Sequence, residues 1–220
     1  EVATTPDAAA ELRVRAAQAL STAGRRLDAI RILQSAWGRG SSAPALLSEL
    51  GELLVREQRF EEALAVFTDA AQRSEDDPGL WEMVGELRAA MGEPDKALEA
   101  WRASLKVKDR AVVRLGIARL HHSREELAAG RRELDRALEV ATGGDAWEMR
   151  ELARTLQLFG RDGDALAILE VLVSEPGQEK DVALQLETAR LAHEVGGRAE
   201  TVRAACSRAQ RADATVTRCP

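Results

Sequence analysis

The chain has 220 residues, 45% of them hydrophobic and 31% charged, which is the composition of a soluble globular protein. It has no apolar run of 18 or more residues to span a membrane. Only 3% of the residues are aromatic, Tyr is absent, and no segment alternates as a strand does, so the predicted fold class is all-α. The formal charge of −6, with the two signs interleaved, argues against nucleic acid as a partner, because such proteins carry a basic patch. The pairs Arg25–Arg26 and Arg131–Arg132 are isolated at turns and read as solvated.

Residues 1–7 are polar, contain Pro6, and predict a disordered lead-in. Beyond them the chain reads as successive pairs of amphipathic helices, the clearest running from Pro78 to Asp109. There Trp81, Val84, Leu87 and Met91 recur at three- and four-residue steps, the stripe of one helix face. Gly92 suits the end of that helix, since only Gly enters the left-handed region without steric cost. Pro94 suits the first turn of the next helix, where no N–H is needed. Gly85 and Ala97 let the two helices approach, and Trp101 fills the space one turn later.

The same unit recurs in six phases, starting near 10, 44, 78, 111, 146 and 182, at intervals of 34, 34, 33, 35 and 36 residues. The small slot of the first helix holds Ala17, Gly51, Gly85, Ala118, Ala153 and Ala189. That of the second holds Ala29, Ala63, Ala97, Gly130, Ala165 and Thr201. The bulky position that follows holds Leu33, Phe67, Trp101, Leu134, Leu169 and Ala205. The turn between helices holds Gly24, Gln58, Gly92, Glu125, Gly160 and Gly196. The linkers 38–44, 74–79, 142–145 and 174–181 have turn chemistry and are too short to separate domains. Residues 8–212 therefore read as a single array, followed by a tail over 213–220.

The small–small–bulky spacing over residues 8–212 resembles the tetratricopeptide repeat. It departs from that pattern at Arg88, Arg114, His121 and Thr188, where apolar residues are more usual. The resemblance implies a right-handed α-solenoid of stacked helix-turn-helix repeats whose first helices line a concave groove for a peptide or helix of another protein. Repeat phase puts Glu52, Glu82 and Glu86 in the front half of that groove, making it acidic. The back half receives Arg119, Arg150, Arg154 and Arg190, with His122 and the apolar Val112, Leu115, Trp147 and Leu158. A partner segment of opposite polarity would be oriented by such a gradient. Trp147 also admits a second reading, packing against the preceding repeat. The Lys and Asn clamp of chaperone-binding members is missing: the corresponding positions hold Val14, Gln18, Glu49, Gly79 and Met83.

No nucleophile–base signature, phosphate loop or metal motif occurs, so the sequence predicts neither an enzyme nor a cofactor. His121 and His122 are adjacent, which points them to different sides of a helix, and His193 is two repeats away. Cys206 and Cys219 leave two readings open: a disulfide, which favours an oxidising compartment, or two separate thiols. The chain does not begin with Met, which reads as a processed or excised segment, and an upstream lipid anchor fits the same reading.

The reading that collects these features is a non-enzymatic adaptor of the bacterial envelope, periplasmic or associated with the outer membrane. It is similar in architecture to the pilotins of type IV pilus secretins. The alternative is a self-associating structural or regulatory module cut from a larger, cytoplasmic signalling protein. Thr188, Ala192 and Ala205 fill the last repeat weakly, and no capping helix follows, which favours docking of that end on another domain or another copy.

Overall fold

The structure is a computed structural model that describes residues 6–41, 43–74, 76–141, 144–196, 198–217 and 219. The described residues form twelve α-helices and no strand. They are α1 (Pro6–Thr22), α2 (Arg26–Trp37), α3 (Pro44–Arg56), α4 (Phe60–Arg73), α5 (Pro78–Ala90) and α6 (Pro94–Val107). Then come α7 (Ala111–Ser123), α8 (Leu127–Val140), α9 (Ala146–Leu158), α10 (Asp162–Leu172), α11 (Val182–Val195) and α12 (Ala199–Ala212). Consecutive helices pack as hairpins, α1 on α2 through α11 on α12. The chain divides into two compact units, Glu1–Asp109 and Arg110–Pro220, where the sequence reading has one array from 8 to 212. Each unit is an all-α stack of three hairpins.

Helices begin at Pro44, Pro78, Ala111, Ala146 and Val182, the phases read from the spacing. Local chemistry sets these starts. Pro44, Pro78 and Pro94 occupy the first turn, while Asp77, Asp145 and Asp181 accept the N–H of Gly79, Glu148 and Leu184. The first helix differs from expectation. It begins at Pro6, so residues 6 and 7 of the expected lead-in are helical; proline is tolerated there because a first-turn residue needs no N–H. Residues 1–5 lie outside the described residues, as do linker residues 42, 75, 142 and 143 and tail residues 218 and 220.

All six hairpin turns use one left-handed residue, at Gly24, Gln58, Gly92, Glu125, Gly160 and Gly196, with φ between 58° and 78°. Gln58 and Glu125 share the positive φ of the glycines, so the repeat geometry overrides the usual cost of a side chain there, while Gly196 departs in ψ, at 161°.

In unit 1 the small and bulky slots meet. A Cβ on Gly51 would lie 2.3 Å from Cζ of Phe67, and one on Gly85 would lie 2.3 Å from Cδ1 of Trp101. Only glycine lets those rings close on the first helix. Ile30, Leu33, Leu46, Leu47, Leu50, Leu53 and Leu54 complete a fully buried core. In unit 2 the core is leucine-rich, through Leu134, Leu152, Leu156, Leu166, Leu169 and Leu184. A comparable glycine of unit 2, Gly130, is covered by Phe159, with Cζ 2.6 Å from the position of an added Cβ.

The four departures from the repeat pattern are each compensated. Arg114 Nη1 lies 2.6 Å from Glu133 Oε2, and Arg88 pairs with Glu93. His121 Nδ1 lies 2.5 Å from Glu126 Oε2, and the buried Thr188 hydroxyl donates to the Leu184 carbonyl at 2.8 Å. A polar side chain in a half-apolar seam is tolerated when its hydrogen bonds are made locally.

At the end of unit 2, Cys206 and Cys219 form a disulfide with their Cα atoms 6.0 Å apart. The tail turns back through Asp213, whose carboxylate accepts from the backbone N–H and hydroxyl of Thr215. Cys219 and Val202 then pack against Ala189, Ala205 and Cys206. As the sequence reading has it, no capping helix follows α12 among the described residues; the disulfide instead ties Cys219 of the tail to the last hairpin.

Candidate protein-binding face

The residues read as lining a groove fall on the first helix of each hairpin. In unit 2 these helices are α7, α9 and α11, with α7 packed on α9. Trp147, Arg150, Arg154 and Leu158 form one stripe along α9, because steps of three and four residues return to the same side of a helix. Trp147 is 59% exposed and Leu158 44% exposed, unusual for side chains of their size. That exposure answers the alternative reading of Trp147, which does not bury itself on the preceding hairpin. Arg190 and His193 on α11 are also exposed.

Two expected residues do not belong to this surface. Leu115 is fully buried in the unit 2 core, and Val112 is 6% exposed. The reason is local: α7 buries Ala111, Val112, Val113, Leu115, Gly116, Ile117 and Ala118, too wide an arc to leave those positions in solvent. His122 is half-buried, with its ring edge-on to Phe159 at 5.1 Å, so it serves packing.

The expected polarity is also reduced. Arg119 and Arg154 share the Glu151 carboxylate at 3.2 and 2.9 Å, and Arg119 also reaches the Thr155 hydroxyl at 3.4 Å. Arg150 Nη2 lies 2.6 Å from Asp181 Oδ2, joining α9 to the residue that caps α11. Arg190 stands 4.0 Å from Glu194. The back half of the face is therefore compensated rather than freely basic, with two guanidiniums on one carboxylate as its local excess of positive charge. In unit 1, Glu52 pairs with Arg56 at 3.6 Å, and Glu82 and Glu86 each have an interaction too.

The sequence carries a signal for these pairs that residue-by-residue phasing misses. Arg119 and Glu151, Arg150 and Asp181, Arg26 and Glu57, and Gln18 and Glu49 are all separated by 31 or 32 residues. That is nearly one repeat, so each side chain reaches its neighbour in the next hairpin. Among the described residues no group of three or more His, Cys, Asp or Glu side chains is placed to hold a metal ion. Nor is any described helix long and apolar enough to cross a membrane.

No protein-family model and no curated protein sequence matches the chain. Solved structures do match. The chain is similar to PilW, described as a widely conserved type IV pilus biogenesis factor, with TM-score 0.65 and 17% identity, covering 92% of this chain and 93% of that one. It is similar to a thermophilic TPR protein of Thermus thermophilus, with TM-score 0.63 and 19% identity, over 83% of this chain and 98% of that one. PilF of Pseudomonas aeruginosa aligns with TM-score 0.59 and 22% identity, over 76% of this chain and 77% of that one. With the helix pairs, the turns and the small–bulky slots, these likenesses establish that the chain has the tetratricopeptide-repeat fold.

Proposed function

We propose that the protein is a non-enzymatic interaction scaffold that holds a peptide or amphipathic helix of a partner protein on the first-helix face of its second unit. The observation that carries this reading is the α9 stripe, with exposed Trp147 and Leu158 at its ends and Arg150 and Arg154 between them. Trp and Arg are the side chains that most often dominate binding energy, and exposed Trp contributes large apolar area with little entropy to lose. Trp147 and Leu158 stand about three helical turns apart, so an amphipathic helix with apolar anchors about three turns apart suits such a stripe.

The finer reading is an envelope assembly factor of pilotin type. The likeness to PilW and PilF supports it, and the Cys206–Cys219 bond accords with an oxidising compartment such as the periplasm. Capture of partners from envelope extracts by wild type and by the Trp147→Ala/Leu158→Ala double variant tests the site. Both side chains are exposed, so the variant keeps its helicity. The expected result is loss of the main captured protein by about tenfold or more, since hot-spot truncations exceed about 2 kcal/mol. Equal capture by the two proteins moves the site off α9.

A further inference from the structure

Gln185 stands on α11 at the position that Leu47, Trp81 and Met149 hold in three other repeats and Arg114 in a fourth, and it is fully buried. Burying an amide there instead of an apolar side chain is costly unless its hydrogen bonds are made. They are made to two groups. Its Nε2 donates to the Gln178 carbonyl at 3.3 Å, and its Oε1 accepts from Nε of Arg208 on α12 at 2.9 Å. Holding Arg208 by Nε leaves the two terminal nitrogens of its guanidinium as a fork. Arg208 lines an open cleft of about 460 Å³ with Lys180, Arg211, Glu179 and Ala212.

Among the described residues, none of the three cations of this cleft forms an ion pair, although most other arginines of unit 2 named above do. Arg211 donates only to the Ser207 hydroxyl, at 3.0 Å. The one carboxylate of the lining, Glu179, turns Oε2 to the Gly177 N–H at 3.0 Å. A buried side chain thus positions one arginine, and two further cations stand beside it, so the three cations outnumber the single carboxylate of the lining, Glu179, and none is ion-paired to it.

We propose that Lys180, Arg208 and Arg211 form an anion-binding site for an acidic peptide segment, independent of the α9 face. Carboxylates match the guanidinium fork, and the cleft is open enough to admit the side chains of an extended strand of Asp or Glu. Gln185 is the positioning residue of this site. It acts through Arg208 and does not touch the ligand.

Calorimetric titration of the full, oxidised chain with a short Glu-rich peptide tests the proposal, alongside the same peptide with Gln for Glu, and inorganic phosphate. The expected result is binding of the Glu peptide alone, weakening as salt rises. Arg208→Ala weakens it by about tenfold or more, the usual effect of losing a hydrogen bond to a charged group. Gln185→Leu keeps the charge and fills the core with the residue type found at Leu47, yet weakens binding severalfold, while Trp147→Ala leaves it unchanged. Phosphate binding without peptide binding overturns the peptide assignment. Binding of neither probe at low salt, or peptide binding that ignores both Arg208→Ala and Gln185→Leu, overturns the site. A Gln185→Leu chain that melts early is replaced by Arg208→Lys, which keeps the charge without the fork and gives a partial loss.

Discussion

In the second and third hairpins of unit 1 the gap between the helices is closed by Phe67 over Gly51 and by Trp101 over Gly85, while the first already pairs Leu33 with Ala17. The corresponding pairs in unit 2 are Leu134 with Ala118, Leu169 with Ala153, and Ala205 with Ala189, all buried. As the bulky partner shrinks the small partner grows, so that interior volume is kept near the close packing of a protein core. The compensation fails only in the last hairpin, where two alanines meet, and that is the hairpin that carries the disulfide. A repeat fold therefore holds the sum of two side chains more strictly than either one. Where the sum falls short, a covalent link takes over.

Removing the bulkiest member of these pairs should have the greatest consequence. Trp101→Ala is expected to cost about 3–5 kcal/mol, with the loss of amide-exchange protection confined to α5 and α6. Gly85→Ala forces a Cβ into the Trp101 ring and is expected to cost about 1–3 kcal/mol. Adding Trp101→Leu converts this pair to the Ala–Leu type of unit 2 and recovers part of that loss. A double variant no better than the sum of the singles, by denaturant midpoint, removes the volume argument.

Next is the covalent link. Cys219→Ser is expected to destabilise the α11–α12 hairpin by about 3 kcal/mol, as for other loops of this length. Reductant should do the same to wild type, while protection in α3 to α6 stays unchanged. A smaller effect comes from the turns. Glu125→Gly removes a side chain from a residue at φ 61° and should raise stability by about 1 kcal/mol, read as a thermal shift.

Acid sensitivity comes last in size. In unit 1, the Trp37 indole and then Arg73 hold Asp69 below its ordinary 3.8. Arg59 does the same for Glu62, and Arg88 with Lys96 for Glu93, whose ordinary value is 4.5. Because the folded values are lowered, their contribution is complete above the ordinary values and is lost as pH falls through the folded ones. A pH series from 6 down to about 2.5 should weaken unit 1 below about pH 4, modestly, since these groups are mostly solvated.

Much of the fold is legible in the sequence because it rests on local, periodic features. Gly92 ends a helix, Pro94 starts one, and Ala97 permits an approach; each acts within one hairpin, so spacing alone reveals it. The turn is legible even at Gln58 and Glu125, since the phase fixes a left-handed residue whatever its side chain. The candidate site is less legible because it depends on what surrounds each side chain. Phase places Leu115 and Trp147 on the same kind of helix face, yet one is buried and the other exposed. Arg119 and Arg150 look like free groove charges until the acids of the next hairpin, Glu151 and Asp181, are in view. Gln185 escapes the pattern altogether, because its role exists only in company with Arg208.

The proposed function requires that the α9 face meet another protein. A photo-reactive amino acid placed at position 158, on that face, and in a second chain at position 127, at the exposed start of α8, compares two apolar surface sites of unit 2 in living cells. A discrete protein adduct from position 158 and none from 127 is the predicted result. Adducts from 127 alone, or no adduct from either position, would contradict it.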